Sequence, residues 1–310
     1  MDVVSLFSGI GGIDKGFIDA GYSMRWANDF DKYAVKTYEA NYNNEIILGD
    51  INAISLDDIP DCDVLVGGFP CQAFSMMGKQ RGFEDARGTL FFRIAEIIND
   101  KIQKGKKPKA IVLENVRALK THDGGNTFAT IKRILEKDLG YKVFAEVLNS
   151  ADFGTPQTRN RIYIVCFANE KAEFTYPEKI ELKSTMQDIL EEDVPDKYFV
   201  SDKLLPTILS NGSGGYKAKS EIDLKIARPL CATMAKMHRA CQDNYVTQKG
   251  KVRRLTPREC ARLQGFDEDF VIPVSDTQAY KQFGNAVTVN VSRAVAEEVK
   301  KTLIKLGEWK

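Results

Sequence analysis

Short apolar runs separated by helix-length polar segments govern what the first half of this chain can become. VVSLF (3–7), MRWAN (24–28), EIIL (45–48), DVLVG (63–67), AIVLEN (110–115), KVFAEVLN (142–149) and RIYIVCF (161–167) read as strands. Most are apolar at consecutive positions, and a strand apolar on both faces must be covered on both. Helical segments near 12–20, 31–41, 90–100 and 126–138 lie between several of them. The pattern predicts an α/β fold, a mostly parallel sheet with helices on both sides. Between the last two runs there is no room for a crossover helix, which predicts an antiparallel edge.

The character changes after about residue 170. Residues 171–250 are polar and irregular, with LSNGSGGYKAKS (209–220) as a loop. LTPRECARLQGF reads as a helix from Pro257, with Thr256 as N-cap and Glu259 closing a capping box; Cys260, Ala261 and Leu263 are expected to pack inward. Val291, Val295, Val299 and Leu303 recur every four residues and give the last helix one apolar face. The expected organisation is split: residues 1–180 and 280–310 form the α/β core, and 181–279 form a smaller irregular domain.

Charge and cysteine usage narrow the function. The net charge is +1, from 44 basic and 43 acidic residues, so any nucleic-acid surface would be local. MDVVSLF lacks a basic secretory segment, and no apolar run approaches the ~20 residues of a membrane helix. A cytoplasmic protein off the membrane is expected. Cys62, Cys71, Cys166, Cys231, Cys241 and Cys260 form neither a CxxC pair nor a disulfide framework, and His122 and His238 are the only histidines. No metal is expected.

Several loops carry chemistry. FSGIGG (7–12) follows the first strand and opens the first helix, but its spacing is not GxGxxG. Asp29 and Asp50 end the next two strands, where carboxylates can meet ribose hydroxyls. An adenosine-bearing cofactor and a plain βα turn are both open on these features. In LVGGFPCQAFS (65–75), Pro70 constrains the backbone that delivers Cys71 to the end of a strand. The loop after it carries Lys79, Arg81 and Arg87, suited to phosphate or simply solvated. Glu114 ends the strand AIVLEN, as an acid, a hydrogen-bond partner or a structural cap. In QTRNR (157–161), Arg159 and Arg161 are two apart, so both should point to one face as an anion clamp or lie solvated.

In this order the motifs resemble those of the DNA (cytosine-5)-methyltransferases, bacterial type. DVVSLFSGIGG is similar to that family's cofactor motif, GGFPCQAFS to its nucleophile motif, ENV to its glutamate motif and QTRNR to its arginine motif. RRLTPRECARLQGF (253–266) and QFGNAV (282–287) are similar to its two C-terminal motifs. The resemblance implies a Rossmann-like core dependent on S-adenosylmethionine, which becomes S-adenosylhomocysteine, plus a target-recognition domain at 181–279. It implies that Phe7, Gly9, Gly11, Gly12, Asp29, Phe30, Asp50, Ile51, Pro70, Leu90 and Asn285 bind the cofactor. Cys71 would be the nucleophile, Glu114 would hold ring nitrogen 3 of cytosine, and Arg159 and Arg161 would support the flipped base.

The chemistry asks for these groups. Carbon 5 of cytosine is too weak a nucleophile until a thiolate adds at carbon 6. A base inside a duplex is out of reach and must be flipped. In ARPLCATMAKMHRACQDNYV (227–246), Arg228, Lys236, His238, Arg239, Gln242 and Asn244 are candidates for base or phosphate contact. The family's Thr-Leu pair has only Thr233-Met234 as a counterpart. Double-stranded DNA is the expected partner, with the chain acting as a monomer and a cognate restriction endonuclease left open. A tRNA cytosine-5 methyltransferase of the same architecture, a nicotinamide or flavin oxidoreductase and an inactive DNA-binding module are the competing readings.

Overall fold

The computed structural model describes residues 1–70, 90–211 and 218–309. These form two compact units: Met1–Leu148, Asn160–Glu178 and Val291–Lys310 in unit 1, Asn149–Arg159 and Lys179–Asn290 in unit 2. Against the expected boundaries, three segments, 149–159, 179–180 and 280–290, fall in unit 2. Hydrogen bonds show why. Ser150 Oγ meets Thr288 Oγ1 at 2.8 Å, Gln157 Nε2 donates to Leu263 O at 2.7 Å, and Tyr280 Oη donates to Leu255 O at 2.6 Å.

Unit 1 is built on a seven-stranded sheet: β1 (Asp2–Leu6), β2 (Ser23–Asp29), β3 (Glu45–Leu48), β4 (Val64–Gly68), β5 (Ala110–Val116), β6 (Lys142–Asn149) and β7 (Asn160–Phe167). The order is β3-β2-β1-β4-β5-β7-β6. From β3 to β5 all neighbours are parallel, whereas β7 runs antiparallel to β5, from Ala110↔Phe167 to Val116↔Arg161. The doubly apolar strands are buried as expected: Val3, Val4, Leu6, Val64, Val66, Ile111 and Leu113 are all 0% exposed. Helices α1 (Gly12–Asp19), α2 (Lys32–Glu39), α3 (Leu90–Gln103) and α4 (Asn126–Arg133) belong to the same unit, α4 running on into a single π turn at Ile134–Asp138.

Unit 2 has fewer regular elements: α5 (Leu205–Leu209), the hairpin β8 (Tyr245–Gln248) and β9 (Lys251–Arg254), α6 (Pro257–Leu263) and α7 (Asp276–Asn285). The capping box forms as expected: Thr256 Oγ1 accepts from Glu259 N, and Glu259 Oε2 accepts from Thr256 N at 2.7 Å. The sequence did not reveal that Glu259 also pairs with Arg253, both side chains fully buried, through contacts of 2.6 and 2.8 Å. A buried ion pair is tolerable when its remaining lone pairs are satisfied. Here Glu191 N supplies a further donor to Glu259 at 2.9 Å.

The chain closes with α8 (Val289–Lys305), which from Val291 on belongs to unit 1. Val291, Val295, Val299 and Leu303 are all buried, the face read from the four-residue spacing. Against α1 the backbones come close: Ser292 Oγ donates to Ile13 O at 2.9 Å, and Tyr22 Oη donates to Ala296 O at 3.1 Å. Gly16 permits this, because a Cβ there would stand 2.5 Å from Arg293 N and 2.6 Å from Ser292 Cβ. Overpacking of this kind costs about 1–3 kcal/mol. Gly16→Val should therefore lower the urea midpoint by a corresponding amount; an unchanged midpoint would mean that α1 and α8 do not pack this closely.

Candidate active site

The sheet of unit 1 changes direction between β1 and β4. From β1 the chain proceeds to β2 and β3 on one side, and from β4 to β5 on the other. In such sheets ligands bind at the carboxyl ends of the strands at this switch point. The glycine loop follows β1, and Phe69-Pro70, the stem leading to Cys71, follows β4. Cys71, Lys79, Arg81 and Arg87 themselves lie outside the described residues.

Three positions in or beside the glycine loop have left-handed backbone, Phe7 at φ 55°, Gly9 at 57° and Gly11 at 82°. Glycine adopts this freely, whereas a non-glycine residue held there costs of order 1–3 kcal/mol and is found where surroundings enforce it. Enforcement is visible. Ser8 N donates to Asn28 O at 3.0 Å, Gly9 N to Asp29 Oδ2 at 2.8 Å and Gly11 N to Ser8 O at 2.8 Å. Tyr42 Oη donates to Gly11 O at 2.9 Å, and a Cβ on Gly11 would stand 2.3 Å from the Tyr42 ring. Gly9 has nothing within 4 Å of a would-be Cβ, so the loop is open there, and Gly12 begins α1.

The neighbouring strand ends suit an adenosine group. Phe30, just past β2, is 72% exposed, and Leu48, at the end of β3, is 52% exposed. A large apolar side chain left this open at a strand end offers a platform for a flat base. Asp29 is nearly buried, and its Oδ1 accepts from Asp31 N at 2.8 Å while Oδ2 takes Gly9 N. It shapes the loop as well as offering lone pairs. Asp50 is exposed and caps the turn Ile51–Ala53 through Asn52 N at 3.0 Å. The Ile51 side chain lies in the core. Pro70 is exposed and Leu90 half-buried at the start of α3.

Beneath the loop sits a group that the sequence reading did not single out. Asp14, fully buried, accepts from Ser5 Oγ and Tyr38 Oη, each at 2.6 Å. Burial raises its carboxyl from the ordinary 3.8 to about 6; the two hydroxyls pull it down, and the Asp29 charge adds to the rise. Asp14 lies in the first turn of α1, where a carboxylate is ordinary, so its position in the sequence gave no signal.

At the other side of the switch point, Gly68 of β4 is paired with Glu114 of β5. Glu114 is 7% exposed, and its Oε1 forms an ion pair with Arg161 Nε at 3.1 Å. Arg161 Nη1 also donates to Asn160 O at 2.9 Å, which fixes the direction of the guanidinium. Asn115 was missed: fully buried, it donates from Nδ2 to Phe69 O at 2.8 Å and ties the stem before Cys71 to β5. A polar residue inside an otherwise apolar strand was the available signal. Elsewhere, burial pushes the Cys166 and Cys260 thiols well up, which disfavours either as a nucleophile.

The expected clamp of Arg159 with Arg161 does not form. Arg159, 2% exposed, belongs to unit 2 and donates to three backbone carbonyls, Leu230 O at 2.9 Å, Gly284 O at 3.0 Å and Ala286 O at 2.8 Å. Strand alternation fails here because β7 starts only at Asn160. Asn244 is likewise not available to a base: Oδ1 accepts from Arg228 N at 2.8 Å and Nδ2 donates to Arg228 O at 3.0 Å. Arg228 donates from Nε to Ala240 O at 3.2 Å. Lys236 and Gln242 are exposed, and His238 and Arg239 half-buried. Asn285 is exposed as the last residue of α7.

A sheet switch point with a left-handed glycine loop after β1, an exposed aromatic ring after β2 and a carboxylate–guanidinium pair between β5 and β7 fits a Rossmann-like α/β fold of the methyltransferase class. The family description C-5 cytosine-specific DNA methylase matches residues 1–301. The chain is 43% identical to the Type II methyltransferase M.NlaX of Neisseria lactamica over 99% of each chain. It is 46% identical to the Type II methyltransferase M1.ScrFI of Lactococcus lactis subsp. cremoris, covering 98% of this chain and 79% of the relative. In fold it matches the Dnmt2 methyltransferase of S. pombe with a TM-score of 0.79 over 99% of both chains, at 21% identity. The chain belongs to the C-5 cytosine-specific DNA methylase family, and is a transferase that methylates carbon 5 of cytosine in DNA.

Asp14 has a testable consequence for stability. Its folded pKa lies above its unfolded value, so its contribution is complete below about pH 4 and is lost as pH rises through about 6. Asp14→Asn cannot ionise, and its stability relative to the unaltered chain should rise by about 2 kcal/mol between pH 4 and pH 8. Urea unfolding at the two pH values measures this; a difference that does not change with pH would show that Asp14 keeps one charge state.

Proposed function

We propose that this enzyme takes the methyl group from S-adenosylmethionine and acts on a cytosine flipped out of a specific short duplex sequence, as the modification partner of a restriction endonuclease. The observation that carries the catalytic reading is Glu114, nearly buried at the end of β5, oriented by Arg161, with Asn115 holding the stem that leads to Cys71. The names of the relatives as Type II methyltransferases support the restriction–modification setting.

The residues divide the work as follows. Phe7, Gly9, Gly11 and Gly12 present backbone at the mouth of the crevice, Phe30 offers its ring to adenine, and Asp29 and Asp50 offer acceptors to ribose and base. When bound, S-adenosylmethionine supplies an electrophilic methyl group. Cys71, as thiolate, adds to carbon 6 of the cytosine and leaves carbon 5 enamine-like. Glu114 donates or strongly hydrogen-bonds at ring nitrogen 3, which takes up the developing negative charge. Carbon 5 then takes the methyl group, loses its proton to a base, and the carbon 6–sulfur bond breaks to release Cys71. Arg161 fixes the Glu114 carboxyl and would support the same base.

Transfer of labelled methyl groups to duplex DNA and to tRNA, followed by bisulfite sequencing, tests this. The expected result is modification of carbon 5 in DNA at one short context; label in tRNA alone would overturn the reading. Base–aromatic stacking is worth about 1–3 kcal/mol, so Phe30→Ala should weaken S-adenosylmethionine binding about tenfold or more in calorimetry. An unchanged affinity would remove Phe30 from the cofactor site.

A further inference from the structure

The segment 156–159 holds a neighbouring piece of chain with unusual completeness, and catalysis at the base does not account for it. Ala227 N donates to Pro156 O at 2.7 Å, and Thr158 N donates to Ala227 O at 2.9 Å. Three residues further on, both backbone groups of Leu230 are taken by side chains. Leu230 N donates to Gln157 Oε1 at 2.8 Å, and Leu230 O accepts from Arg159 Nη1 at 2.9 Å. Gln157 and Arg159 are 0% and 2% exposed.

Each of these side chains then reaches a second element of unit 2. Gln157 Nε2 donates to Leu263 O at the end of α6, at 2.7 Å. Arg159 Nη2 donates to Gly284 O and Ala286 O at the end of α7, at 3.0 and 2.8 Å. Gly284 completes the seat: a Cβ there would stand 2.1 Å from Cys231 C and 2.2 Å from Ala232 N. The backbone of 227–232 is therefore held by hydrogen bonds at Ala227 and Leu230 and by close packing of Gly284 against Cys231 and Ala232.

What leaves this seat is a loop that returns at Asp243. The Asp243 carboxylate accepts from His238 N at 2.7 Å and from the Cys231 thiol at 3.6 Å, which closes the loop at its base. Between these ties Thr233, Lys236 and Gln242 are exposed. Met237, just after the turn at Met234–Lys236, has left-handed backbone with φ 53°. Donors and acceptors at the tip of a short loop whose two ends are both anchored are held in one register, the condition for reading base edges rather than contacting phosphate at large.

We propose that Gln157 and Arg159 are positioning residues for DNA recognition: by holding Leu230 they set the register in which the loop 231–243 presents Lys236, His238 and Gln242 to the duplex. This rests on the proposed action on a specific duplex sequence. Arginine suits the task because its planar fork reaches acceptors on two elements at once, whereas lysine offers one point charge.

Bisulfite sequencing of the unaltered enzyme first defines its methylated context. Arg159→Lys and Gln157→Ala are then compared on duplexes with that context and with single base-pair changes in it. Each good base contact is worth about 1–3 kcal/mol of discrimination, so the ratio of kcat/KM between correct and altered duplexes should fall about tenfold. KM for DNA should rise while kcat at saturating DNA and the affinity for S-adenosylmethionine stay within about threefold. Loss of kcat with context and KM unchanged would place Arg159 at the reacting base and overturn the proposal. So would a lowered thermal midpoint with an unchanged context, which marks support of the fold alone. If Arg159→Lys does not fold, Gln157→Ala decides by itself: an unchanged context sinks the proposal. An unaltered enzyme that modifies DNA without context, or tRNA alone, refutes the reading on which the proposal rests, an outcome separate from any behaviour of the variants.

Discussion

Parallel strands have to be joined by crossovers, and where the crossovers change direction the sheet leaves a crevice at its carboxyl edge. In unit 1 that happens once between β1 and β4. Most groups assigned to cofactor or base in this unit sit at or just past the carboxyl end of a parallel strand near that point: the glycine loop after β1, Phe30 after β2, Asp50 after β3, Phe69-Pro70 after β4 and Glu114 near the end of β5, opposite Gly68. The topology does the gathering, since these residues are up to about a hundred positions apart in the chain. No single helix or loop could bring them together.

The crevice is then held in shape by polar groups that the core would otherwise exclude. Asp14 with Ser5 and Tyr38 lies under the glycine loop, Asp29 braces its first glycine, and Asn115 fastens the stem before Cys71. Each joins two elements that are distant in sequence. Buried polar groups of this kind are tolerated only when satisfied, and that requirement is also what makes them specify one geometry. Arg161 plays the same part for Glu114, and in unit 2 the Gln157 and Arg159 side chains do so for Leu230.

Much of the core was legible from sequence because its signals are local. Continuous apolar runs marked the strands of the sheet, the four-residue spacing marked the buried face of α8, and Thr256, Pro257 and Glu259 marked the start of α6. The Arg159–Arg161 pairing was read wrongly for an equally physical reason. Two-residue alternation holds only inside a strand, and Arg159 stands one residue before β7, in the other compact unit. Asn244 looked like a base reader by residue type, but its amide is matched to the backbone of Arg228, sixteen residues earlier. Partnerships at that separation leave no periodicity in the sequence. The domain boundaries slipped likewise, because 149–159 and 280–290 are assigned by long-range hydrogen bonds rather than by any change in composition.

The central claim is that Cys71 attacks carbon 6 of a cytosine held by Glu114. Duplex DNA carrying 5-fluorocytosine at the methylated position tests it most directly, because fluorine at carbon 5 cannot leave as a proton does, so the adduct persists. In the presence of S-adenosylmethionine the unaltered enzyme should form a denaturation-resistant complex with this DNA, with the modified peptide containing Cys71, and Cys71→Ser should form none. A complex formed equally by Cys71→Ser, or an adduct mapped to any other residue, would contradict the account.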